Sequence, residues 1–148
     1  MKYDVYYEVQ AVNVIGPVKM AEAFLPNVAA SQQKKIINIT SGQGSITKTW
    51  GCCYFYRASK AALNMGMRLL QNDVRGRGVL VGIVSPGPVD TDMHKAYRAN
   101  AAQAGKPLTM AAVAPADSAR SLANYIEGLG ADKAGRFWSA YTGQEVPW

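Results

Sequence analysis

The sequence contains few residues that form disulfides or bind metals. Its 148 residues include two cysteines and one histidine, and the two cysteines, Cys52 and Cys53, are adjacent. Neighbours in sequence rarely form a disulfide, and two thiols without further cysteines or a nearby histidine do not make a zinc site. The sequence therefore excludes a disulfide-stabilised scaffold and a structural zinc module, and it predicts no bound metal.

Long apolar runs and basic clusters are also lacking. Without a stretch of about 20 apolar residues, the sequence predicts no membrane-spanning helix. The opening segment MKYDVYYEVQ lacks the basic and then apolar pattern of a signal peptide. Together with reduced thiols, this predicts a cytoplasmic protein. The net charge of +6 comes from scattered Lys and Arg residues, so we expect no nucleic-acid-binding face.

What is present is the composition of a globular protein with alternating helix and strand patterns. With 49% hydrophobic and 18% charged residues, the chain is expected to fold as one domain over residues 1–148. Apolar residues at helical spacing predict helices, and short β-branched or fully apolar runs predict strands. The predicted elements are long helices at 4–30 and 56–75, a helix at 115–128, strands at 35–40, 79–84 and 136–140, and a mobile polar flap at 93–112.

Two of these strands and the helix between them form one predicted unit. The strand at 79–84 is apolar at every position, which is typical of a parallel strand covered on both faces. Strand, long helix and strand then predict a right-handed βαβ unit. Because the carboxyl ends of parallel strands meet at one edge of a sheet, Ser41 and the Pro86-Gly87 turn are expected to lie close together there.

Tyr56 and Lys60 are the residues whose spacing suggests chemistry. They are four positions apart, so on a helix they lie on the same face. A lysine ammonium one turn from a tyrosine stabilises its phenolate, which suits the pair to general acid–base work. A lone Tyr-x-x-x-Lys is weak evidence because chance produces such pairs often. Its position next to the predicted Ser41 edge strengthens it, since Ser41 would hold a carbonyl oxygen while Tyr56 supplies the proton.

Five segments together resemble a known family. The sequence is similar to the short-chain dehydrogenase/reductases and, within them, to the C-factor-like carbonyl reductases. The resemblance implies an α/β fold that corresponds to the C-terminal half of a Rossmann-like doubly wound parallel sheet, with about three parallel strands and long helices. The segments that carry it are Asn13-Val-Ile-Gly16, Asn38-Ile-Thr-Ser-Gly-Gln-Gly-Ser-Ile46, Tyr56-Arg-Ala-Ser-Lys-Ala-Ala-Leu-Asn64, Ser85-Pro-Gly-Pro-Val-Asp-Thr-Asp-Met93 and Val146-Pro-Trp148.

The resemblance also implies a site, a cofactor and a reaction. It implies reduction of a small-molecule carbonyl compound with NADP or NAD, in which serine orients the carbonyl, tyrosine donates the proton, lysine holds the nicotinamide ribose and asparagine anchors a water. The implied catalytic residues are Asn13, Ser41, Tyr56 and Lys60. The implied cofactor-binding residues are Tyr56, Lys60, Pro86, Gly87, Val89 and Thr91.

One family feature is missing from the sequence. No Gly-x-x-x-Gly-x-Gly turn is present, although such a turn binds the dinucleotide pyrophosphate in the family. Roughly the first 90–100 residues of a typical member lack a counterpart. The strand at 35–40 is therefore expected to be an exposed apolar edge, where a charge at Ile37 would reduce self-association.

Two functional hypotheses follow from this absence. The first is an NAD(P)-dependent reductase that is weak or inactive as this chain alone. The second is a non-catalytic interaction module. The small side chains around Ala58, Ala62 and Gly66 allow another helix to approach closely, either within the domain or from a partner subunit. The resemblance implies the partner subunit, as a homo-oligomer formed through the helices at 4–30 and 56–75.

Overall fold

The chain adopts an α/β arrangement, as the sequence predicts. The computed structural model describes residues 2–49, 52–103, 105 and 111–148. In chain order the elements are α1 (Tyr3–Gln10), a π-helical turn (Ala11–Ile15), α2 (Gly16–Ala30), β1 (Lys35–Ile39), a 3-10 turn (Gly42–Gly44), α3 (Tyr54–Val74), a 3-10 turn (Arg75–Arg77), β2 (Leu80–Ser85), α4 (Asp92–Gln103), α5 (Pro115–Glu127), β3 (Phe137–Ser139) and β4 (Gln144–Glu145).

The four strands form one sheet in the order β1-β2-β3-β4. β1 and β2 pair in parallel, with Lys35 opposite Leu80 and Ile39 opposite Val84. β2 and β3 are also parallel, whereas β3 and β4 are antiparallel. The predicted βαβ unit and three parallel strands are therefore confirmed, and β4 adds an antiparallel strand that the sequence did not predict.

Both faces of β2 are buried, which explains its uninterrupted apolar sequence. Successive side chains of a strand point to opposite faces. Val81 and Ile83 pack into a core with Leu63 and Met67 of α3. Val84 packs on the other side into a second core, which contains Tyr125 and Leu129 from α5 and its C-terminal end.

β1 has a neighbouring strand on one side only within the described part of the chain. Its last residue, Ile39, is 51% exposed. An apolar groove runs between β1 and α2, and its walls include Met20 and Phe24. The expected exposed edge is therefore present. Ile37, however, is half-buried and packs against the core that contains Val84, so a charge there would disturb the core as well as the edge.

Two predicted segments differ from the structure in detail. The helix at 4–30 is present, but it contains a π-helical turn at Ala11–Ile15, and Pro26 lies inside its second part, α2. The stretch 93–112 is not irregular throughout, because α4 occupies Asp92–Gln103. Alanine favours helix even where apolar periodicity is weak, which explains this difference. The remainder of the predicted flap includes residues 104 and 106–110, which are outside the described residues. Among the described helices, none is long and apolar enough to cross a membrane.

Candidate active site

The loops that follow β1 and β2 are joined through one hydroxyl. Ser85 Oγ at the end of β2 accepts a hydrogen bond from the backbone N–H of Gly42 at 2.9 Å and another from Gly87 at 3.3 Å. Ser85 was not among the predicted site residues. Its position directly before the Pro-Gly turn is a sequence signal that could have identified it. The bond to Gly42 holds the Ser41 loop against the loop after β2, as the parallel topology requires.

Ser41 begins a short turn that packs on α3. Its extended backbone precedes the 3-10 turn, and its hydroxyl oxygen accepts a hydrogen bond from Gln43 N–H at 3.2 Å. Gly44 is buried against α3, where an added Cβ would lie 2.8 Å from Asn64 Nδ2 and 3.0 Å from the Lys60 carbonyl carbon. Glycine is therefore required at position 44, and it allows the Ser41 loop to approach the helix that bears Tyr56 and Lys60.

Tyr56 and Lys60 lie on the same face of α3, as their spacing predicts. Lys60 Nζ is 5.7 Å from the centre of the Tyr56 ring, which is within the range of a cation–π contact. Both residues are half-buried. Burial lowers the pKa of the Lys60 ammonium, because desolvation disfavours the charged form. The arrangement places a partly desolvated cation beside a tyrosine, near the carboxyl edge of the sheet.

Asn13 reaches α3 from the π-helical turn. Its Nδ2 donates a hydrogen bond to Ser59 Oγ at 3.1 Å, and the Ser59 hydroxyl donates to the backbone carbonyl of Tyr56 at 2.7 Å. Ser59 is fully buried, and it was not among the predicted residues. Asn13 is thus connected to Tyr56 through one hydroxyl. π-helical turns occur frequently at functional sites because they displace a side chain from regular helical spacing.

Four of the six predicted cofactor-binding residues, Pro86, Gly87, Val89 and Thr91, lie in the loop between β2 and α4, and the other two are Tyr56 and Lys60 on α3. Gly87 has a φ of +82°, and a Cβ there would come within 2.5 Å of Tyr141 Cβ, so only glycine fits this turn. Val89 forms a parallel bridge with Val113. Thr91 Oγ1 accepts a hydrogen bond from the His94 backbone N–H at 3.3 Å.

This loop is therefore held in place at both ends. The Val113 segment is hydrogen-bonded to it twice, from Asp90 N–H to Val113 O and from Val113 N–H to Pro88 O, each at 2.9 Å. Pro86 and Gly87 follow Ser85 directly, next to the Ser41 loop. Across residues 2–49, 52–103, 105 and 111–148, no group of three or more His, Cys, Asp or Glu side chains is placed to hold a metal ion.

The sequence is related to curated proteins of known class. The family model described as short chain dehydrogenase matches residues 1–102. The C-signal protein of Myxococcus xanthus is 36% identical over 138 residues, which are 93% of this chain and 75% of that protein. The 1-hydroxy-2-glutathionyl-2-methyl-3-butene dehydrogenase of a Rhodococcus species is 31% identical over 138 residues, which are 56% of its length.

Solved structures agree with this assignment. The carbonyl reductase Sniffer of D. melanogaster superposes with a TM-score of 0.83 at 26% identity, and the NADPH-bound carbonyl reductase from chicken fatty liver with 0.82 at 28%. Each alignment covers 100% of this chain and 59% of the solved one. The family prediction is therefore confirmed, and with it the Rossmann-like α/β fold: the chain belongs to the short-chain dehydrogenase family.

Proposed function

We propose that this chain carries the catalytic residues of an NAD(P)-dependent carbonyl reductase. The observation that carries the proposal is the Tyr56–Lys60 pair on α3, where a half-buried cation lies 5.7 Å from the tyrosine ring. Tyr56 is the general acid, and it donates its phenolic proton to the oxygen of the substrate carbonyl. Ser41 donates a hydrogen bond to the same oxygen, so the two hydroxyls orient the carbonyl and stabilise the negative charge that develops on it.

Lys60 and Asn13 support this proton transfer. The Lys60 ammonium favours the phenolate that Tyr56 leaves behind, and its partial burial strengthens that interaction because less water screens it than at the surface. Asn13 acts through Ser59, which fixes the first turn of α3 by its hydrogen bond to the Tyr56 carbonyl. Asn13 is therefore a positioning residue in this proposal, and its side-chain oxygen is available to hold a water for proton resupply.

The loop after β2 fits the nicotinamide end of NADP or NAD. Because Gly87 has no Cβ and follows Pro86 in a tight turn, the backbone packs closely against Tyr141 at the carboxyl edge of the sheet, where ligands bind in such folds. Val89 and Thr91 follow in the same loop, and Lys60 offers an ammonium group for the ribose hydroxyls. When bound, the nicotinamide would supply the hydride that reduces the carbonyl carbon. The carbonyl reductase from chicken fatty liver is bound to NADPH, which favours NADP as the first choice for a test.

A second function is favoured by the exposed face of α3. Met65 is 58% exposed and Leu69 is 54% exposed, and both follow the exposed alanines 58 and 62 at helical spacing. On the long helix before β1, Val12 is 72% exposed and Ile15 is 51% exposed. Apolar side chains in such stripes are buried when helices associate. This supports a homo-oligomer formed through these helices, and a chain that associates without binding a nicotinamide would be an interaction module.

The first test is a titration of the purified 148-residue chain with NADPH and NADH, read by quenching of tryptophan fluorescence. Saturable binding at micromolar concentration supports the reductase proposal. No binding up to millimolar concentration contradicts it for this chain and favours the interaction module, which sedimentation velocity then tests directly.

The second test replaces single tyrosines of α3 with phenylalanine, which removes only the hydroxyl. Tyr56→Phe should lower kcat for reduction of an aromatic aldehyde by about 10²-fold or more, since general acid catalysis supplies about that factor. Tyr54→Phe is the matched control, because Tyr54 is 66% exposed on the same helix. Its rate should equal that of the unmodified chain. Full activity in Tyr56→Phe would show that another group donates the proton.

A further inference from the structure

Two cysteines and a tyrosine form a polar cluster that the proposed reductase mechanism does not use. Cys52 and Cys53 lie at the start of α3, and both thiols are free and partly exposed. Cys52 Sγ is 3.8 Å from the Tyr97 hydroxyl of α4, a hydrogen-bonding distance for sulfur. Cys53 is the N-cap residue of α3. The cluster therefore joins the beginning of the helix that bears Tyr56 to the helix that follows the β2 loop.

The two thiols have different proton affinities. Burial raises the pKa of Cys52, but hydrogen bonds with Cys53, Tyr97 and Arg57, and the positive charge of Arg57, outweigh burial and lower it overall. Burial and the neighbouring Cys52 raise the pKa of Cys53 to about 11. Burial and Cys52 also raise the pKa of Tyr97 to about 12, so its hydroxyl stays protonated and can donate to sulfur. Cys52 is thus the better nucleophile of the pair.

We propose that Cys52 and Cys53 form a peroxide-sensitive dithiol at the N-terminus of α3. The Cys52 thiolate attacks one oxygen of a hydroperoxide, the O–O bond breaks, and Cys52 becomes a sulfenic acid as hydroxide or alkoxide leaves. The Cys53 thiol then attacks the Cys52 sulfur, hydroxide leaves, and an S–S bond forms. With hydrogen peroxide, the two thiols lose two protons and two electrons in total, and the peroxide is reduced to two molecules of water.

The adjacency of the cysteines makes this disulfide reversible. Consecutive Cα atoms are about 3.8 Å apart, whereas unstrained disulfides join Cα atoms about 5.5 Å apart. A disulfide between neighbours is therefore strained, and strained disulfides are reduced more readily than structural ones. Loss of the thiolate on Cys52 also removes the charge that raises the pKa of Cys53, so the second step becomes easier once the first has occurred.

Oxidation would be transmitted to the two helices that the cluster joins. Cys53 has a φ of 52° in the left-handed region, and Cys52 a φ of 139°. A disulfide between these neighbours closes a small ring that includes their backbone. It therefore restricts the backbone of both residues at the point where α3 begins, three positions before Tyr56. Oxidation also removes the Cys52 thiolate, so Tyr97 loses the hydrogen-bond partner of its hydroxyl. The proposal itself does not depend on the reductase function, because the thiol chemistry can be measured in the absence of any substrate.

The experiment exposes the purified protein to increasing hydrogen peroxide and follows its intact mass. The unmodified chain should lose the mass of two hydrogen atoms, and dithiothreitol should restore it. Both cysteines lie in the tryptic peptide Thr49–Arg57, so peptide mapping separates this change from oxidation of methionine elsewhere. In Cys53→Ser, a 1,3-diketone should trap a sulfenic acid on Cys52. In Cys52→Ser, no sulfenic acid should form under the same conditions.

A further variant tests the role of Tyr97 in the cluster. Tyr97→Phe removes the hydroxyl next to Cys52 and should slow sulfenic acid formation in the Cys53→Ser background by about threefold at neutral pH, the effect of one hydrogen bond to sulfur. Circular dichroism checks that each variant is folded. In urea, the difference between the two rates of sulfenic acid formation should disappear, because the contact between Tyr97 and Cys52 exists only in the folded protein. Disulfides between two chains, preferential oxidation of Cys53, or equal rates in folded and unfolded protein would each overturn the proposal.

Discussion

β1 and β2 are neighbouring parallel strands, but β2 is almost entirely buried whereas β1 is mostly half-buried and ends in an exposed residue. In β2, Val81, Ile83 and Val84 are fully buried. In β1, the residue opposite Val84 is Ile39, which is 51% exposed. The uninterrupted apolar run of β2 predicts burial on both faces, whereas the mixed sequence of β1, with Lys35 and Asn38 among its isoleucines, does not show how exposed its individual side chains are. The position of a strand at the centre or the edge is decided by residues distant in sequence, here β3 on one side of β2.

The largest expected difference between the strands is in the cost of removing an isoleucine. Ile83→Ala should lower the free energy of unfolding by about 3 kcal/mol, because it leaves a cavity in a core that cannot fully collapse. Ile39→Ala is the matched change at the edge, and it should cost less than about 1 kcal/mol because half of the side chain is already in water. Urea unfolding followed by tryptophan fluorescence measures both. Equal losses would show that Ile39 is covered in solution, for instance by a second copy.

A smaller effect is expected from adding a methyl group at the centre of the sheet. A Cβ on Gly82 of β2 would lie 3.1 Å from Leu129 Cδ2 and 3.2 Å from both Ile37 Cδ1 and Tyr125 Cε1. Gly82→Ala should therefore destabilise the fold by about 1–2 kcal/mol through overpacking.

Gly76→Ala provides the control for this change, because nothing lies within 4 Å of a Cβ at Gly76. It should leave the midpoint of urea unfolding unchanged or raise it slightly. If Gly82→Ala were as stable as Gly76→Ala, the space between β2 and α5 would be larger than the packing of Tyr125 and Leu129 indicates.

The smallest effect on stability is expected at the open edge itself. Ile39→Lys should change the free energy of unfolding by less than about 0.5 kcal/mol, and it should reduce self-association because a charge on an edge strand opposes pairing with another strand. Sedimentation velocity at several protein concentrations measures the association.

The neighbouring position Ile37 sharpens the same comparison. Ile37→Lys places a charge against the core that contains Val84 and should destabilise the chain by about 2 kcal/mol or more. The sequence suggested Ile37 for the edge test, and the structure shows that Ile39 is the better choice. Unchanged association in a folded Ile39→Lys variant would mean that the β1 edge does not drive self-association.

Local pattern and spacing were sufficient to predict the framework. A fully apolar run, a long helical pattern and a β-branched run gave β2, α3 and β1 because each depends on its own sequence. β4 was missed because Gln144 and Glu145 are exposed and carry no apolar pattern. The helix α4 was missed because alanine propensity, rather than an apolar face, accounts for it. The π-helical turn has no sequence signal, since its backbone depends on how the long helix packs.

The candidate site was predictable to a similar extent. Tyr56 and Lys60 were placed correctly on one helical face because their relation is local. Ser59 and Ser85 were missed because each hydroxyl is defined by a distant partner: Asn13 lies 46 positions before Ser59, and Gly42 lies 43 positions before Ser85. Small polar residues of this kind become meaningful only when the fold supplies their partners. The catalytic roles themselves remain predictions for the tyrosine exchange to test.

The π-helical turn at Ala11–Ile15 has a consequence for how this helix can change in length. It holds one residue more than an α-helical turn would, so α1 and α2 are out of phase by about 100°. Deleting a single residue there would restore a regular helix and rotate α1 about its axis relative to α2. The ring centroids of Tyr3 and Tyr6 lie 6.3 and 5.1 Å from that of Phe55. This rotation would move both tyrosines away from Phe55. A substitution along this helix therefore leaves its contact face in place, whereas an insertion or a deletion changes which face meets α3.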